Sequence, residues 1–485
     1  MSTNLKFLFL IIALVAVFPR AVIGSEGEIN RFSIEIDESN SVFKFEAAFG
    51  VKRGDEISFV DSIADSVSLV QRIRDFTFTK NGKPIITNRF GSGYFSTPEV
   101  YDGFRYEIRS PSPEPLIAAP HISWITHSVL LVRTRDLFPN GFRGETSIEF
   151  KSPKGWKVFG PGKWNGDFVR IIPDPRNAAF FVWKDGGRIY AEKAKPFLIR
   201  SLVLGDWEFE DSEVSKQSRE IAESYGKLFG ASPTNEVFLS LMPFPGEIDS
   251  DRWRAETDRD SVVVFSAKTS VKSLAKQRLH EQLRHEFFHL WIPNGVRLEG
   301  DYAWFYEGFA RYQSLRLAVS LGRITFSDYL RAVAESVRIG GIGTGGGSLA
   351  DSSLAIWNGN PGRVTARGMS IAFLIDSRLT AGKEGNSGKF ISKFYNRYRN
   401  AEFGIGAMDA VLSEMRRYES IKSLVEQSVL ADKPIDWESE LKPFGIVVEA
   451  RRTGFELAAV PNPTRSQRAL IDKLGYNDWK KYRPK

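Results

Sequence analysis

The sequence predicts a multidomain α+β protein, an N-terminal antiparallel β domain followed by a mainly helical domain. Three observations carry this. Short runs alternating apolar and polar residues fill positions 25–205, helical periodicity dominates most of 206–430, and the remaining 431–485 are too few for another domain. The chain has 485 residues, enough for two or three sizeable cores. Its 42% hydrophobic and 26% charged content is ordinary for a globular protein.

Residues 1–24 read as an address. Lys6 supplies a positive charge, Phe7 to Phe18 form an apolar run, and Val22-x-Gly24 precedes a cleavage point. That is the layout of a secretory signal peptide. The run falls well short of the roughly 20 residues that span a bilayer. No other apolar run is long enough, so the mature chain is expected to be exported, periplasmic or secreted, without a stable membrane span. The net charge of +7 comes from 66 Lys+Arg against 59 Asp+Glu, interspersed along the chain. Such a mild, mixed balance argues against a nucleic-acid partner. Cysteine is absent, which excludes disulfides, thiolate ligands and a cysteine nucleophile. Any metal site must use histidine and carboxylate.

In the β domain the runs "RFSIEI", "SVFKFEAAF", "DFTFT", "SVLLVRT", "TSIEF", "AAFFVW" and "FLIRSLVLG" are separated by turn clusters such as "SPSPEP" and "FPNGFRG". Period-2 alternation between turns at this spacing predicts antiparallel strands. The character changes near "DWEFEDSE". "SEVSKQSREIAESYGKLFG" has helical spacing, with Gly230 placed to end it. "NEVFLSLMPF" and "SVVVFSA" are predicted strands, and helices follow from Val271. The tail holds one extended piece, "FGIVVEARR". Gly341-x-Gly343-x-x-Gly346 fits a dinucleotide-binding pattern, but it follows a helical segment and reads as a loop.

The chemistry concentrates in "LRHEFFHLW". The spacing predicts a helix from Ser270 to Trp291, stopped by Pro293, with Leu279, Leu283, Phe287 and Leu290 as its core stripe. His285 and His289 fall near the opposite side, about 40° apart and one turn along the axis. Two imidazoles so placed can bind one zinc ion. Glu286 lies beside them, where a carboxylate can act as general base on a water. With five histidines in 485 residues, a chance H-E-x-x-H is expected on the order of 0.003 times. Catalytic zinc needs a third protein ligand and an open position. Glu307 in "AWFYEGFARY", 18 positions after His289, can supply that ligand. Gly308 beside it removes a side chain where helices must come close. The competing reading of Glu307 is a surface pair with Arg311 at i+4.

These segments resemble the gluzincin metallopeptidases, and most closely the glycyl aminopeptidase family. The likeness extends to "SPKGWKVFG", "RGMSIAFLID" and "DWESELKPFGIVVE", in the family's order, and covers most of residues 30–450. It implies a thermolysin-like catalytic domain at 206–430, with His285, His289 and Glu307 as ligands of one Zn2+ and Glu286 as base. It further implies a peptide or protein substrate; many relatives carry a PDZ domain next, and the residues that follow position 450 here are expected to be too few for one.

Two positions depart from the pattern. "RVTARGMS" puts Thr365 where the wider aminopeptidase group has an oxyanion-stabilising tyrosine, and a threonine hydroxyl is several ångströms shorter in reach. Upstream of the zinc helix, Glu256 and Asp258 in "AETDRDSVVVF" give no clear match to the amine-recognising glutamate. Tyr302 and Tyr306, flanking Glu307, are candidates to replace the missing phenol. Among the other histidines, His280 is expected to be solvated, and His121 and His127 to be structural. The expectation is an exported zinc metallopeptidase, possible aminopeptidase activity included. The alternative is a zinc-containing binding or scaffold protein with weakened catalysis.

Overall fold

Most of the alternating runs become strands of two stacked sheets, and "FLIRSLVLG" joins a third. In the computed structural model, residues 29–478 are described, apart from 64–67, 143, 153, 167, 251, 344–346, 354–360, 403 and 452–453. The expected signal peptide at 1–24 therefore lies outside the described residues, as does part of the glycine-rich loop. Among the described residues no helix is long and apolar enough to cross a membrane.

The first sheet has eight strands, in the order Lys163–Trp164, Val169–Ile172, Thr146–Lys151, Asn30–Asp37, Val42–Arg53, Tyr101–Arg109, Ile73–Lys80 and Lys83–Pro84. Its neighbours are antiparallel except for Asn30–Asp37 beside Thr146–Lys151. The second sheet runs Lys157–Phe159, Ala179–Trp183, Val129–Arg133, Trp124–Ile125, all antiparallel.

Successive side chains on a strand point to opposite faces, and the second sheet uses both. Leu130, Val132, Phe180 and Val182 join the core of the first sheet. Leu131, Phe181 and Trp183 turn the other way and pack against Phe238, Val263 and Phe265 of a third sheet. The β domain is thereby built onto the next domain through a continuous apolar layer.

That third sheet comprises β1 (Arg188–Lys193), β2 (Leu198–Val203), β3 (Glu236–Met242), β4 (Trp253–Asp258) and β5 (Ser261–Ser266), in the order β1-β2-β3-β5-β4. Strands β2, β3 and β5 are parallel, while β1 and the edge strand β4 are antiparallel to their neighbours. Parallel strands buried on both faces are nearly continuous apolar runs, as "SVVVFS" and "EVFLSLM" are. The sheet reaches back past residue 206, where alternation alone placed the change of domain.

Helices cover the other face of this sheet. Helix α1 (Asp211–Phe229) ends as predicted at Gly230, which adopts the left-handed conformation that terminates helices (φ 75°). Helices α2 (Lys272–Trp291), α3 (Ala303–Ser320), α4 (Phe326–Gly340), α5 (Pro361–Ala381) and α6 (Ser387–Tyr398) follow. Gly341 closes α4 with φ 56°, so the first glycine of the glycine-rich segment is a helix terminator. The extended piece in the tail is one arm of a hairpin, Ile446–Arg451 with Gly454–Ala459. Leu441, Phe444, Ile446, Leu457, Ile471 and Leu474 bury themselves in the core that contains α2 and α3. The tail is thus part of this domain's packing.

Candidate metal centre

The second half of helix α2 is buried on nearly every side. Leu279, Leu283, Phe287 and Leu290 form the expected core stripe. The polar positions are enclosed as well: Gln282, Arg284, Glu286 and His289 are 0%, 4%, 3% and 6% exposed. His280, expected to be solvated, is 2% exposed. It accepts from the Arg284 guanidinium and meets Glu220 Oε2 at 3.3 Å, while Arg323 reaches the same carboxylate at 2.6 Å. Arg284 also donates to Ser314 Oγ on α3 at 3.2 Å, and Tyr225 on α1 donates to the Arg284 carbonyl at 2.7 Å. A buried charge persists only with partners, and α1 and α3 supply them to Arg284 and His280 in place of solvent. This network ties the ligand helix to the helices on either side.

Helix α3 brings Glu307 to the two histidines. Its first turn is capped by Asp301, whose Oδ1 accepts from the Ala303 amide at 2.7 Å. Gly308 lies against Gly368 of α5. A Cβ on Gly308 would lie 2.3 Å from the Gly368 carbonyl carbon, and one on Gly368 would lie 2.0 Å from the Trp304 oxygen. The helices cross backbone to backbone, which only glycine permits at both positions.

His285 Nε2 lies 3.2 Å from His289 Nε2 and 3.4 Å from Glu307 Oε2, and His289 Nε2 lies 3.5 Å from Glu307 Oε1. Ligand atoms at zinc bond lengths on the corners of a tetrahedron stand about 3.3 Å apart, so this donor set fits the ion. Among the described residues it is the one group of three histidine or carboxylate side chains whose ligand atoms converge this way. Glu307 thus faces the histidines, and no ion pair joins it to Arg311. His289 Nδ1–H donates to the Ile292 carbonyl at 3.1 Å, which leaves Nε2 free to coordinate and fixes the ring.

Burial alone would raise the Glu307 carboxyl, but His289, His285 and Arg311 hold it at about 2. Glu286 is different. Burial drives its carboxyl up to about 7, with His285 and a hydrogen bond from Thr257 opposing. Thr257 Oγ1 lies 2.7 Å from Glu286 Oε2 and fixes that side chain from the edge strand β4. Asn294 Nδ2 donates to the Thr257 carbonyl at 2.8 Å and to the His289 carbonyl at 3.1 Å, joining strand to helix. Neither Thr257 nor Asn294 was legible in the sequence, because no spacing signal links a strand hydroxyl to a helix carboxylate.

Glu256, also on β4, sits in a charge cluster with the β domain. His121 Nδ1 contacts one of its oxygens and Arg135 reaches the other at 3.3 Å. Asp258 pairs with Arg133, and with Arg135 at 3.5 Å. His121 is therefore a bridge between domains, while His127 is exposed on a bend. Thr365 is buried on α5, at 7% exposure. Of the two candidate tyrosines, Tyr306 stands edge-on to His289, ring centroids 5.9 Å apart, with Tyr302 packed behind it at 5.1 Å.

This fold resembles that of solved M1 zinc metallopeptidases. The chain superposes on an aminopeptidase N family protein from Idiomarina loihiensis with a TM-score of 0.72 at 15% identity, over 87% of this chain and 79% of that one. An M1 zinc metallopeptidase from Deinococcus radiodurans gives 0.56 at 14% identity, over 84% and 94%. A variant of the latter, crystallised with a Tyr-Ser-Ala substrate, gives 0.56 at 11% identity, over 84% and 95%. No family model matches the sequence, and no curated protein matches it. At these identities the likeness establishes the fold.

Proposed function

We propose that the chain is a zinc-dependent peptidase in which His285, His289 and Glu307 hold the ion and Glu286 is the general base. The convergence of three ligand atoms at tetrahedral spacing, with Glu286 beside them, is the observation that carries this reading. Bound there, zinc would supply Lewis acidity to a water and to the scissile carbonyl. Glu286 takes the proton of the attacking water and returns it to the leaving amine. Thr257 holds the carboxylate during that exchange, and Tyr306 is the side chain best placed to donate to the developing oxyanion. The M1 fold and the peptide held by the Deinococcus radiodurans enzyme support a peptide substrate. The likeness of "HEFFHLW" and "WFYEGFARY" to the glycyl aminopeptidases supports the same reading. Export belongs to the same proposal, and N-terminal sequencing of the mature protein is expected to begin near Ser25.

The test pairs metal analysis with turnover. Purified protein is expected to hold one zinc per chain, and Glu286→Gln to keep the zinc while losing turnover of a mixed peptide pool by at least about 10²-fold. Unchanged turnover would remove Glu286 from the reaction. A second reading has one specific observation in its favour: Thr365 stands where a phenol is expected. In that reading the chain binds peptides on a zinc site with weakened catalysis. Chelator-sensitive peptide binding without chelator-sensitive hydrolysis would select it.

A further inference from the structure

A cavity opens beyond the carboxyl ends of the parallel strands β2, β3 and β5, between them and the first half of α2. Its volume is about 250 Å³. Crevices outside the carboxyl ends of parallel strands are where open α/β sheets commonly hold ligands. None of His285, Glu286, His289 or Glu307 lines it.

The walls are mixed, and Trp207, Phe209, Leu241, Ala275 and Leu279 form their apolar part. Trp207 and Phe209 stack with ring centroids 5.8 Å apart and planes 5° from parallel, facing Leu241 and Leu279. Among the lining side chains, only Gln282 has a buried polar atom without a partner. Gln282, one helical turn before Glu286, is fully buried and lines the cavity. Its Nε2 donates to Ser266 Oγ at 3.3 Å, and that hydroxyl donates onward to the Ala267 carbonyl. Its Oε1 has no partner. A fully buried acceptor left unpaired is costly, so it marks a place where a donor belongs.

We infer that this cavity binds a neutral aromatic molecule of one or two rings that carries a single N–H or O–H donor for Gln282 Oε1. The size sets the class. A dry apolar cavity of roughly 150 Å³ takes benzene, so this one has room for a fused second ring. Charge sets it too. Arg278 is tied to the carbonyls of Ser250 and Ala267, and Asp206, Glu208 and Lys268 are exposed at the rim with mixed sign. No counter-ion therefore waits inside for a charged ligand.

The test uses indole and its carbon isostere indene, titrated into the full chain by calorimetry, with zinc loaded and with zinc stripped. Indole is expected to saturate one site with a Kd on the order of 0.1–1 mM. Indene should bind at least about 10-fold more weakly, because it leaves Oε1 unpaired. Zinc should leave both values unchanged, which separates this site from the proposed peptidase centre. Gln282→Met keeps the length and removes the acceptor, and should bring the two affinities together. The inference is overturned if wild-type protein shows no saturable indole binding, or binds the two probes equally. It is equally overturned if indole competes with a zinc-binding hydroxamate. Should Gln282→Met fail to fold, the wild-type comparison of the probes decides alone.

Discussion

At the scale of single residues, the side chain that governs Glu286 comes from outside its own helix. Thr257 reaches it from β4 at 2.7 Å, and both groups are buried. Thr257→Val keeps the shape but removes the donor. Turnover is expected to fall about 10-fold with zinc content unchanged, and Thr257→Ser should restore it. Equal turnover in all three would mean that Glu286 needs no such support. His289→Ala removes a ligand, so elemental analysis should find the zinc gone; full retention would sink the ligand assignment. Thr365 poses the opposite problem, since enlarging it can help or harm. A missing oxyanion donor typically costs about 10²–10³ in rate, so Thr365→Tyr would raise kcat if the phenol were simply absent. Yet Thr365 is 7% exposed, and Tyr306 already stands 5.9 Å from the His289 ring. The expected result is a lower kcat and a higher KM, from a ring crowding the cleft. A rise in kcat at constant zinc content would show instead that the phenol limits the rate.

At the scale of elements, the position of Glu307 depends on how closely α3 approaches α5. Gly368→Ala would bring a methyl to 2.0 Å from the Trp304 carbonyl, so the helices must part. Overpacking of this kind costs about 1–3 kcal/mol. A lower melting temperature is expected together with weaker zinc binding, because Glu307 is adjacent to the crossing. Weaker melting with unaltered zinc affinity would show that the crossing does not set the ligand. Gly308 was readable in advance, since a glycine beside a candidate ligand on a helix implies a close neighbour. H-E-x-x-H and the later glutamate were readable for the same reason: chemistry constrains residue types at fixed spacing. The edge strand β4 was not. "WRAETD" has only Trp253, Ala255 and Thr257 on one face, while Glu256 and Asp258 on the other meet Arg133, Arg135 and His121 instead of solvent. His280 misled for a related reason. Helical periodicity assigns polar residues to solvent, and it cannot register that Glu220 and Arg284 wait on the buried side.

At the scale of the whole molecule, the β domain and the metal-site domain are joined by an apolar layer and by a charge cluster of opposite character. The layer is indifferent to pH, whereas the cluster is not. Burial on its own would raise the Glu256 carboxyl, but Arg135, His121 and Arg133 outweigh it and hold it well below its ordinary value of 4.5. A carboxyl depressed by folding contributes stability that is fully present above its unfolded pKa and is lost as pH falls toward the folded one. Glu256 therefore ties the docking of the two domains to pH below about 4.5. Glu256→Gln should be less stable than wild type at neutral pH, because Arg135 and His121 lose their partner. Between pH 4.5 and 3 the wild-type unfolding free energy should fall more steeply than that of the variant, by up to about 1.4 kcal/mol per pH unit. Urea unfolding at a series of pH values, with zinc held constant, measures both slopes. The two curves should approach each other on the acid side. Parallel curves across that range would mean that Glu256 does not titrate with folding, and that the apolar layer of Phe181, Trp183, Phe238 and Phe265 joins the domains without help from the charges.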